Sequence, residues 1–293
     1  QAHTVGKDTT IVLFQLVDNG QTSIFLKIIQ FVPNLAFLEA CSLIGQTFNI
    51  IISQEKKMNI NNDDIISESM PCFMEKTEDL CNTLKKYSYD DFKKLLACND
   101  EIAKLNYSRY KDMNLYKNLS PAILSYEGIQ YKYMSPNSFS NSEFDYISNH
   151  LKILSGFYGI LKPFDGIVPY RLEMQTKLAI ADKKNLYSFW ENSLYKELTK
   201  DTNTILNLAS KEYSKTIEKY LTKDDIFITC VFGTLIDSKI KVKATEAKMA
   251  RGLMVRYLAE NNITDIEKVK NFNELGFSYS KEHSKPNEFV FLK

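Results

Sequence analysis

The stretch AKMARGLMVRY at residues 247–257 constrains this chain more than any other. At 100° per residue it splits into two helical faces. Ala247, Met249, Ala250, Leu253, Met254, Tyr257 and Leu258 crowd one side, a stripe wide enough to dock on a core. Lys248, Arg251, Gly252, Val255 and Arg256 fill the other, with three cations and no acid. Glycine in a helix interior costs roughly 1 kcal/mol against alanine, so Gly252 must serve a close approach. One reading is an anion-facing surface for phosphate, carboxylate or a nucleic-acid backbone. The other is a solvated basic face whose glycine lets a second helix pack tightly.

A chain of 293 residues can bury a sizeable core. Its 44% apolar and 25% charged content is that of an ordinary globular protein. The formal charge of +1 means that affinity for nucleic acid or phosphate must come from a local patch. Five scattered cysteines without a CxxC pair argue for reduced thiols in the cytoplasm. The three histidines lack ligand spacing, so no metal centre and no cofactor are expected.

Residues 1–47 read as an extension, a hairpin plus a helix. Its apolar runs IVLFQLV and IFLKIIQFV flank the turn Asp18-Asn19-Gly20. Polar residues interrupt every membrane-length window there. Residues 48–293 read as one compact α+β (mixed α/β) domain with a mixed sheet and surrounding helices. FNIIIS, TILNLA and EFVFL are strands, and IFITCVF with LIDSKIKVKA forms a hairpin leading into the 247–257 helix. Helices dominate residues 71–113, with capping signals at Ser88 and at Asn99 or Asp100. Ser140 with Glu143 caps a helix whose stripe runs Phe144, Ile147, Leu151, Leu154. Residues 123–134 alternate as a strand or hairpin, and one helix spans 185–200.

Polar clusters at strand ends carry the candidate chemistry. In NLASKEY, Asn207, Ser210, Glu212 and Tyr213 sit at a strand-to-helix junction whose free amides favour an anion; simple capping is the alternative. Arg171 and Glu173 of PYRLEM orient a ligand or form one ion pair. Lys56 and Lys57 follow the first domain strand and are candidates to join Arg171, Lys248 and Arg251 in one basic pocket. In LSGFYG, Ser155, Lys162 and the amides between Gly156 and Gly159 hold a backbone phosphate, as in a helix-hairpin-helix, or make a tight helix end.

Taken in order, the strand with Lys56, LSGFYGILKPFD, PYRLEM, LYSFW, NLASKEY and AKMARGLMVRY resemble the YaaA family of peroxide-stress resistance proteins over residues 49–293. The family's strand ends in Ser-Pro-Ala-Lys, where this chain has Ser53-Gln54-Glu55-Lys56. The resemblance implies a cytoplasmic protein that limits free iron and oxidative DNA damage. It also implies a basic cleft lined by Lys56, Arg171, Lys248, Arg251 and Arg256, and a helix-hairpin-helix-like element over 145–174. Its partner would be double-stranded DNA, bound without sequence preference and with no membrane involved. The other reading is an enzyme on a small anionic or nucleotide-like substrate, with Arg171, Lys248 and Arg251 on the anion and Glu173 or Glu212 moving protons.

Overall fold

The computed structural model describes residues 2–4, 9–18, 21–30, 47–59 and 65–293, the first three segments by their backbone. Contacts divide the chain into two units, 1–46 and 47–293. In the first, β1 (Ala2–Thr4), β2 (Thr9–Asp18) and β3 (Gln21–Gln30) form an antiparallel sheet. Asp18 pairs with Gln21, so the two apolar runs fold back as the hairpin their turn residues specify. The helix expected after it falls on residues outside those described.

The second unit is α+β, built on one mixed sheet. Its strands are β4 (Asn49–Ser53), β5 (Leu151–Ser155), β6 (Gly159–Leu161), β7 (Thr204–Asn207), β8 (Ile226–Ile236), β9 (Lys239–Lys241), β10 (Ser278–Tyr279) and β11 (Glu288–Leu292). The order across the sheet is β10-β11-β8-β7-β4-β5-β6, with β9 on the tail of β8. The five inner strands run parallel, while β10, β6 and β9 pair antiparallel. Ile50, Ile51 and Ile52 are all fully buried, which is why β4 reads as an unbroken apolar run: both faces of a parallel strand are covered.

Helices enclose the sheet: α1 (Met74–Lys85), α2 (Tyr89–Leu96), α3 (Asp100–Asp112), α4 (Ala122–Ser125), α5 (Ile129–Met134), α6 (Asn141–His150), α7 (Leu186–Trp190), α8 (Ser193–Leu198), α9 (Lys211–Glu218) and α10 (Ala244–Glu260). Their starts follow the capping chemistry. Ser88 accepts the Asp91 amide and Asn99 accepts the Ile102 amide, while Ser140 and Glu143 form a reciprocal box.

Five expectations are corrected. Helix α6 stops at His150, and Leu151 and Leu154 belong to β5, because pairing with β4 buries the whole LKILS run. The element expected to be helix-hairpin-helix-like is therefore one helix followed by a β-hairpin, with Ser155 opposite Gly159. Residues 123–134 are mostly helical: Tyr131 and Met134, three apart, are buried on one side of α5. The 185–200 helix breaks at Glu191, whose φ is 48°. The expected hairpin of IFITCVF with LIDSKIKVKA turns at Asp237 and Ser238 (φ 50° and 59°), because β8 runs on through Ile236.

Helix α10 is buried on both sides. Gly252 and Val255 are covered along with Ala247, Ala250, Met254 and Leu258. A Cβ on Gly252 would lie 2.1 Å from the Gln130 carbonyl oxygen. The glycine lets α5 cross at backbone distance, so close helix packing accounts for it.

Candidate functional site

The topology fixes where a ligand site belongs. From β4 the chain moves to β5 on one side, then returns to β7 on the other and continues outward through β8 to β11. Strand order therefore reverses between β4 and β7, and the crevice outside their carboxyl ends is where such sheets bind ligands. Ser53 ends β4 and Ser210 caps α9 just past β7. The Ser210 amide donates to Ser53 Oγ (2.9 Å), and the Ser53 hydroxyl donates on to Ser210 Oγ (3.3 Å).

Beside this junction lies a recess of about 610 Å3, within the range of small-ligand sites. Its floor is a polar row across three parallel strands, since Thr229 of β8 is the register partner of both Asn207 of β7 and Glu288 of β11. Partners in register project to the same face. Asn207 is locked: its Nδ2 donates to Thr229 Oγ1 (3.1 Å) and its Oδ1 accepts the Ala209 amide (3.0 Å). Lys211 of α9 also lines the recess, paired with Glu218.

Arg251 enters the recess from α10. It is mostly buried, its Nε is sealed from solvent without an acceptor, and it makes no ion pair among the described residues. Burial lowers its pKa, opposed only by the neighbouring Cys230 thiol. A guanidinium taken out of water without a counter-charge is costly. It is the strongest unmet demand for an anion among the described residues.

The other expected site residues do not converge here. Lys56 and Arg171 both pair with Glu173, at 2.8 and 3.0 Å. Glu212 lies near them and accepts the Gln175 amide (3.1 Å). Burial raises its pKa against that amide, and Glu173 adds to the rise. Lys248 is held by Glu55 (3.0 Å). Arg256 bonds Glu260 (2.7 Å) and the Ser138 hydroxyl (2.8 Å). Lys56 and Arg171 thus share one acid, Lys248 and Arg256 each hold another, and of the expected set only Asn207 and Arg251 share the recess.

The LSGFYG turn faces inward. Ser155 Oγ accepts the Phe157 and Tyr158 amides (3.1 and 2.9 Å), and the Gly156 amide donates to Gln54 Oε1 (2.9 Å). Gly159 takes φ 79° to close the turn. The Lys162 amide donates to Asp165, and its side chain is exposed. Gln54 also donates to the Leu172 carbonyl (2.9 Å) and accepts from Tyr170 (2.7 Å).

Sequence reasoning missed Thr229, Glu288 and Lys211 as residues of the recess. Thr229 left one signal, a lone hydroxyl inside the apolar run IFITCVF.

With this geometry in place, comparison with known proteins is informative. The family profile described as peroxide stress protein YaaA matches residues 48–283. A UPF0246 protein of Desulfitobacterium hafniense is 55% identical over 244 residues, 83% of this chain and 97% of that protein. UPF0246 proteins of Lachnoclostridium phytofermentans and Agathobacter rectalis are 51% and 47% identical, each covering 83% of this chain and 96% and 97% of their own length.

The chain belongs to the YaaA family. The profile's match takes in Ser53, Asn207, Ser210, Thr229 and Arg251 and ends at residue 283, before Glu288 of β11. Among the described residues of this YaaA-family chain, no group of three or more His, Cys, Asp or Glu side chains is placed to hold a metal ion. No described helix is long and apolar enough to cross a membrane.

Proposed function

We propose that this YaaA-family chain serves peroxide-stress protection in the cytoplasm by binding a small anionic ligand in the recess between α9, α10 and the sheet. The unpaired Arg251 guanidinium carries this reading. A carboxylate or phosphate there gains charge-assisted hydrogen bonds and relieves a buried charge that the protein leaves uncompensated. The Thr229 hydroxyl proton and the opening turn of α9 add donors on the same side. Calorimetric titration with inorganic phosphate tests it: the wild type binds, and Arg251→Met, which keeps the stem but loses the guanidinium, does not. Equal binding by both would refute the reading.

A second reading is double-stranded DNA held by its backbone, and through it a restraint on iron-driven DNA damage. One observation favours it: Lys56 and Lys248 both reach the turn after β4 with side chains 57% and 43% exposed. Such binding is sequence-tolerant and weakens steeply with salt. Lys248→Ala lowers the salt slope for a fluorescent duplex by about 1 and leaves phosphate binding untouched. A duplex affinity indifferent to salt and to Lys248 would remove this second reading.

A further inference from the structure

The recess has a second unmet group. Glu288, the first residue of β11, lines it opposite the Asn207 end of the polar row. Its carboxylate makes no hydrogen bond or ion pair with a described residue. The other acids there are engaged: Glu218 holds Lys211 and the Ser214 hydroxyl, and Asp225 accepts from Thr222 and Tyr195. So one recess contains one free cation, Arg251, and one free anion, Glu288, and the two form no ion pair with each other.

Two opposite charges that share a concavity without meeting define a ligand with two ends. We infer that the recess takes a small dipolar molecule, with a phosphate or carboxylate on Arg251 and an ammonium group on Glu288. The inference rests on the anion reading above and adds the second pole. The floor suits it. Asn207 and Glu288 lie two strand spacings apart, roughly 10 Å between backbones, and the Thr229 hydroxyl between them contributes a donor toward the ligand's middle. The half-buried Phe227, two residues along β8 on the same face, supplies an apolar wall for a short carbon chain. A purely anionic ligand would leave Glu288 unpaired and repelled. A purely cationic one would leave Arg251 as it stands.

The experiment uses the full chain and two matched probes, O-phosphoethanolamine and ethyl phosphate, which differ by the ammonium group. Calorimetry on the wild type is expected to give about tenfold tighter binding of O-phosphoethanolamine, the effect of one charge-assisted contact. Glu288→Gln erases that preference while still binding ethyl phosphate, which also shows that the variant is folded. Equal affinities in the wild type, or a preference that survives Glu288→Gln, overturn this inference and leave the anion reading standing. Failure of both probes to bind overturns both readings.

Discussion

The Ser210 amide donates to Ser53 Oγ over 2.9 Å, tying the end of β4 to the first turn of α9. The bond closes the sheet's reversal point: two strands far apart in sequence end together, and the cap of the next helix is shared between them. What stays open is the space beside it, where Asn207, Thr229 and Glu288 line the floor and Arg251 hangs without a partner. In the proposed reading, a scaffold fixed this firmly around an uncompensated charge is preorganised for a ligand.

Removing that charge should stabilise the empty protein. Arg251→Met keeps the buried stem and deletes the desolvated guanidinium, so stability without ligand is expected to rise by about 1–2 kcal/mol. For a domain of this size that raises Tm by roughly 2–6 °C. Thermal denaturation in phosphate-free buffer reads it; a fall in Tm would mean that Arg251 serves the fold.

Gly252→Ala is expected to act on stability, not on ligand. Its Cβ would meet the Gln130 carbonyl at 2.1 Å, forcing α5 and α10 apart at a cost of about 1–3 kcal/mol. Urea unfolding checks this, and an unchanged midpoint would contradict the backbone crossing.

Gln54→Ala leaves the Gly156 amide and the Leu172 carbonyl without partners inside the protein. Each unsatisfied buried group costs about 1–3 kcal/mol, so a loss of about 2–4 kcal/mol is expected. A near-neutral urea midpoint would show that water or neighbouring groups replace the glutamine.

His150 sets an acid limit. Its Nδ1 lies 2.9 Å from the Phe48 carbonyl oxygen, and burial lowers its pKa from 6.5, aided by Lys152 and opposed by that hydrogen bond. Below about pH 6.5 the unfolded histidine binds a proton that the folded one resists. Its contribution to stability is therefore complete above that pH and shrinks as pH falls. Urea midpoints of wild type and His150→Gln should converge as pH drops from 7.5 to 5; a gap constant with pH would rule the linkage out.

Much of the architecture was legible in local chemistry. Ser88, Asn99 and Ser140 announced helix starts because a side chain three residues from an orphan amide has a local job. FNIIIS and EFVFL announced strands by their apolar runs, while their parallel pairing came only with the fold. What local reading missed was set by long-range partners. Leu151 and Leu154 fit a helical stripe, and only the β4 edge makes them a strand. Gly252 and its cations read as an anion surface, yet α5 covers the glycine, and Glu55 and Glu260 take two of the cations. Arg251 was legible as a candidate, but its lack of a partner was not, and Glu288 acquires meaning only through its register with Thr229.

The most direct test looks at Arg251 itself. The chain has four arginines, Arg109, Arg171, Arg251 and Arg256, so its Nε–H resonances form a small set, and the one missing from Arg251→Met belongs to Arg251. Titrating inorganic phosphate into the wild type should move that resonance in a saturable way, beyond any change in the other three. A resonance that stays in place while phosphate binds elsewhere, or not at all, would contradict an anion site in the recess.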